Sequence, residues 1–92
     1  MKNRVVVTGL GALSPLGLDV PSLWKGLLAG RSGVGPITRF DCEGFPVNFG
    51  AEVKGFVATD YIDPKEAKKH DRFIQYSLVA TQEALNDANL AI

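Results

Sequence analysis

The chain has one cysteine, one histidine, one tryptophan and one methionine in 92 residues. Each scarcity excludes something. The lone Cys42 forms no internal disulfide, and no His/Cys cluster has the spacing of a metal site, so neither kind of staple is expected to hold a small scaffold together. An excess of charge is also missing: ten Lys and Arg balance ten Asp and Glu, for a formal net charge of +0. Nothing global recruits nucleic acid or an anionic membrane, and a basic patch has to be local. No stretch approaches the roughly 20 apolar residues of a spanning helix. The short valine run after Lys2 and Arg4 lacks the apolar core and cleavage site of a secretory signal. These absences together predict a cytoplasmic protein of at most one compact unit, with no internal domain boundary.

What is there reads as an α/β pattern. Val5, Val6, Val7 and Thr8 are β-branched on both faces, the signature of a strand buried in the middle of a sheet. Gly9, Gly11, Pro15 and Gly17 then break the chain. Asp19 is placed to cap a helix carrying Leu23, Trp24, Leu27 and Leu28 on one face, with Gly30 as its stop. Residues 31–46 are rich in Gly and Pro, and no regular element is expected there. Val47, Phe49, Ala51 and Val53 alternate with Asn48, Gly50, Glu52 and Lys54, which predicts an outlying strand or hairpin arm. Asp63, Pro64 and Glu66 open a second helix as cap, first-turn proline and first-turn acid. Ile74, Leu78, Thr81, Leu85 and Ala88 recur at helical spacing, so this helix should run to about Asn89 with room for a kink near His70 or Asp71. Leu90, Ala91 and Ile92 form an apolar stub where a second parallel strand should follow, and the whole reads as the beginning of a larger α/β fold.

The run ending in Gly9, Leu10 and Gly11 invites a nucleotide-binding reading. A dinucleotide fingerprint needs a third glycine and a helix opening inside the motif, so that backbone N–H groups meet the pyrophosphate. Here the third position is Ser14, the helix waits until Asp19, and no ribose-binding acid stands near Arg31 and Ser32. The competing reading is mechanical: Gly9 and Gly11 let a strand turn under a closely packed neighbour.

"VVVTGLGALSPLG", then "LWKGLLAGRSG", "PITRFD" and "KKHDRFIQYSLVATQEALNDANL", resemble in order the amino-terminal segment of the β-ketoacyl-acyl carrier protein synthases, particularly the type II elongating enzymes. The resemblance covers essentially the whole chain. It implies a thiolase-like, layered αβαβα fold, with a polyketide-type ketosynthase as the variant within the class. It also implies a cytoplasmic homodimer that condenses an acyl chain on cysteine with malonyl on acyl carrier protein, releasing carbon dioxide. No cofactor is implied. The family's cysteine and two histidines lie beyond the matched segment, so no catalytic residue is expected here and the segment alone should be inactive.

Cys42 and His70 are the chain's own candidates for a nucleophile and its base. Asp41 and Glu43 flank the sulfur, and adjacent negative charge disfavours a thiolate. An ordinary loop cysteine is the better reading, and His70, between Lys69 and Asp71, reads as a solvated or locally paired side chain.

Lys65, Lys68, Lys69 and Arg72 fall at i, i+3, i+4 and i+7, one face of a continuous helix. In the first turns of that helix each exposed cation would be opposed by about 0.3–1 kcal/mol from the dipole. From spacing alone, an ordinary solvated face and a docking stripe stand level. The resemblance implies that Lys65, Lys68 and Lys69 dock the acidic recognition helix of acyl carrier protein, with Arg72 as a weaker extension. Two other classes remain: a stand-alone interaction module using the basic stripe, against which the unpaired valine strand argues, and a nucleotide-binding oxidoreductase fragment.

Overall fold

The computed structural model describes residues 2–91. They form two compact units: residues up to Ala12 together with those from Val57 onward, and Leu13–Phe56.

In the Leu13–Phe56 unit, Ser14 and Gly17 close a tight turn by exchanging backbone hydrogen bonds of 2.9 and 3.2 Å. The Ser14 hydroxyl also accepts from Leu16 N at 3.2 Å, and Pro15 presets the backbone at the turn's second position. Helix α1, Val20–Leu28, follows. Asp19 caps it as expected, its Oδ1 accepting from Ser22 N at 2.8 Å. Hydrogen bonding to Ser22 holds the Asp19 carboxyl below its ordinary range. At the other end Gly30 adopts φ +68°, so that Arg31 N reaches Gly26 O at 3.0 Å and Gly30 N reaches Leu27 O at 3.1 Å. That pair of bonds satisfies carbonyls the last turn leaves open, and the left-handed residue between them favours glycine.

Strands β1, Val34–Pro36, and β2, Phe49–Ala51, form a small antiparallel sheet in the register Val34 to Ala51, Gly35 to Gly50 and Pro36 to Phe49. The expected hairpin arm is present but shorter than the alternation from 47 to 53. Its partner falls within residues 31–46, for which no regular element is predicted. Pro36 is tolerated because the sheet has only two strands, both of them edges. Just past β2 the Glu52 carboxylate accepts from Thr38 Oγ1 at 2.9 Å, Thr38 N at 3.2 Å and Arg39 N at 3.3 Å. The Thr38 hydroxyl is the main reason the Glu52 carboxyl lies below its ordinary range.

The other unit contains a short 3₁₀ turn at Ala58–Asp60, helix α2, Pro64–Ala67, and helix α3, Arg72–Asp87. Asp63 caps α2 by accepting from Lys65 N at 2.9 Å. The predicted single helix is instead two: Asp71 takes an extended conformation, φ −67° and ψ 164°, and α3 restarts after it. The break falls where a kink is expected but interrupts the helix outright. α3 ends like α1, with Leu90 N on Leu85 O at 2.9 Å and Asn89 N on Asn86 O at 3.1 Å, and Asn89 at φ 55° where α1 uses glycine.

The predicted buried strand at residues 5–8 is not observed. No strand includes these residues, and Val5, Val6 and Val7 are 91%, 59% and 80% exposed. β-branched side chains favour a sheet only through cross-strand neighbours, and among the described residues none pairs with this segment. Val79 of α3 is the one buried large hydrophobic side chain among them.

Candidate functional site

The glycine segment is the first place where chemistry is conceivable. A Cβ on Gly9 would stand 2.7 Å from Ala88 N and 2.8 Å from Ala88 Cβ, and one on Gly11 2.9 Å from Ala84 N and in collision with Ala80 O. Residues 9–12 therefore lie directly on the backbone of α3. Between these contacts Leu10 N donates to Asp87 Oδ2 at 3.0 Å and Ala12 N to Glu83 Oε1 at 2.9 Å. A phosphate would need those N–H groups and would meet two carboxylates instead. The segment is a close-packing device, as the failed fingerprint suggests.

Cys42 is half-buried, with its Sγ 3.7 Å from Phe40 O. Its loop is closed by Phe45 N on Cys42 O at 3.0 Å, by Asp41 Oδ1 on Glu43 N at 2.9 Å and by the edge-on rings of Phe40 and Phe45. His70 Nε2 faces Glu66 Oε2 at 3.5 Å. The contacts of each side chain are with residues close to it in sequence.

The basic residues occupy the segment around the helix break. Lys65 lies in α2, Lys68 is its C-cap, Lys69 is in the interruption and Arg72 opens α3. All four are exposed. The expectation of a single stripe on one continuous helix is corrected by the break, and with it the dipole argument. Lys68 and Lys69 follow the C-terminal end of a four-residue helix, and only Arg72 stands at the start of a long one. Lys69 Nζ pairs with Glu66 Oε1 at 3.5 Å, with the lysine side chain 68% exposed, so the pair is weak and screened by salt.

One participant escaped the sequence reading. The Gln75 side chain reaches back from α3, its Nε2 donating to Ala67 O at 2.9 Å and to His70 O at 3.2 Å. Nothing in the spacing distinguishes Gln75 from any other polar helix residue.

Against known proteins, the family model described as Beta-ketoacyl synthase, N-terminal domain, matches residues 2–92. The chain belongs to that family, as the resemblance implied. A 3-oxoacyl-[acyl-carrier-protein] synthase 2 from Synechocystis is 54% identical over 99% of the chain. One of the same description from Staphylococcus aureus is 51% identical over 98%. The chain spans 22% of the length of each of these relatives. Among solved structures, the ishigamide ketosynthase/chain length factor superposes with a TM-score of 0.89 at 42% identity, over 99% of this chain and 23% of that one.

Proposed function

We propose that this chain is the amino-terminal part of a 3-oxoacyl-acyl carrier protein synthase of the type II elongating kind, acting in fatty acid biosynthesis. The carrying observation is the 54% identity across nearly the whole chain with a relative of that description. In this reading the complete enzyme is a cytoplasmic homodimer of layered αβαβα architecture. It holds the growing acyl group as a thioester on a cysteine supplied elsewhere. Malonyl on acyl carrier protein loses carbon dioxide, and its carbanion attacks the thioester carbonyl and expels the cysteine thiolate, leaving on the carrier an acyl chain two carbons longer. The present residues contribute framework and a docking surface, and alone have no condensing activity.

Lys65, Lys68 and Lys69 are the proposed carrier contacts. Exposed cations grouped at a helix break suit an acidic partner helix, steering encounter more than adding affinity. Reversing all three to Glu in the full-length synthase should slow carrier association and abolish its salt dependence, while acylation by a small thioester lacking the carrier continues. Wild-type carrier kinetics in the folded triple variant would make these lysines an ordinary solvated surface. A polyketide-type ketosynthase is the second reading, supported by the likeness to a solved ketosynthase/chain length factor at lower identity. Product analysis with the two kinds of carrier separates them.

A further inference from the structure

Helix α2 ends after four residues, and at the break Ala67 O and His70 O lose the bonds that an uninterrupted helix would give them. His70 O would take its bond from Ile74 N, but Ile74 N donates to Asp71 O at 3.1 Å. Ala67 O has only the long 3.5 Å approach of His70 N from the backbone. Gln75 supplies what is missing: its amide nitrogen spends one hydrogen on Ala67 O and the other on His70 O. These two carbonyls bracket Lys68 and Lys69. The amide is half-buried, so water replaces its bonds less readily than it would on an open surface.

We infer that Gln75 is a positioning residue for the basic surface, fixing the α2–α3 break and so the placement of Lys68 and Lys69. The inference rests on the proposal that these lysines dock acyl carrier protein. Gln75 touches no partner in this account. Its action is to hold the peptide between Ala67 and Asp71 in one arrangement, which lowers the ordering cost when an acidic surface engages the two lysines.

The test is a double-mutant cycle in the full-length synthase with acyl carrier protein as the probe. Gln75→Leu keeps the size and removes both donors. It should speed hydrogen exchange at residues 68–71 and lower the carrier association rate by about three- to tenfold, a range typical of coupled neighbours. Acylation by a small thioester should be unchanged. Added to the Lys65, Lys68 and Lys69 reversal, Gln75→Leu should cost nothing more. An equal loss in both backgrounds would mean a general structural role and overturn the inference, as would unchanged exchange or unchanged association. Gln75→Met serves the same arms should the leucine variant not fold. If the triple reversal itself leaves carrier kinetics intact, the docking proposal falls and this inference with it. If the reversal acts as expected and Gln75→Leu does not, the inference alone falls.

Discussion

Each unit presses a bend of the chain against a helix, and the two do so in opposite ways. In the Leu13–Phe56 unit the small residue belongs to the helix: Gly26 is the buried position of α1, and a Cβ there would meet Leu16 Cβ at 3.2 Å and Arg31 Nη2 at 3.1 Å. In the other unit the small residues belong to the arriving segment, and a Cβ on Gly9 or Gly11 would meet helix backbone. Side chains can yield by a few tenths of an ångström. A helical carbonyl already engaged in the ladder cannot, so the second contact is much the less forgiving.

The largest expected effect follows from that difference. Gly11→Ala in the full-length synthase should destabilise by about 3–5 kcal/mol or prevent folding, since the new methyl collides with Ala80 O. Gly26→Ala should stay within about 1 kcal/mol of the parent, its better helix propensity offsetting the crowding. Equal costs in urea denaturation would erase the distinction between the two contacts.

A smaller effect separates the polar contacts within the unit that contains α3. Glu83→Ala leaves the part-buried Ala12 N–H without the acceptor it now has and should cost about 1–3 kcal/mol. Asp87→Ala should cost less, because the exposed Leu10 N–H can turn to water. If Asp87→Ala proves the more damaging in thermal melts, the assigned burial order is wrong.

The smallest effect tests a polar anchor of the Leu13–Phe56 unit. Removing the cap with Asp19→Ala should cost about 1 kcal/mol near neutrality. The folded Asp19 carboxyl is held below its ordinary range by Ser22. Its contribution is therefore complete above the unfolded carboxyl's titration, near pH 4, and is lost as pH falls through the lowered folded value. The penalty of Asp19→Ala should thus shrink in melts taken well below pH 4. A penalty that holds constant into strong acid would assign the cap's effect to something other than its ionised form.

The same contrast decides what could be read in advance. Asp19, Gly30, Asp63 and Pro64 act through their own backbone and its near neighbours, and each stands where its residue type points. Where the outcome depends on a distant segment, sequence was a poorer guide. Val34, Gly35 and Pro36 look like loop residues and become a strand only because residues 49–51 offer a register. Residues 5–8 look like a strand and find no partner among the described residues. The basic segment falls between these cases: its residue types and a kink are legible, but a shared face at that spacing needs a continuous helix, which the break between α2 and α3 removes. The Gln75 amide that closes the gap has no periodicity to betray it.

The docking of residues 9–12 on α3 also sets a measure along the chain. Four residues of α-helix rise about 6 Å, and two residues of extended chain about 6.6–6.8 Å. Leu10 and Ala12, two apart, find carboxylates at Asp87 and Glu83, four apart and in reverse order. Gly9 and Gly11 find Ala88, Ala84 and Ala80 at the same stride. The segment and the helix thus mesh like rack and pinion cut to a common tooth. A single residue inserted or deleted within residues 9–12 would exchange the faces of this run and set Leu10 or Ala12 where the glycines now meet helix backbone, and one inserted in α3 would turn part of Ala80, Glu83, Ala84 and Asp87 by about 100° away from their partners.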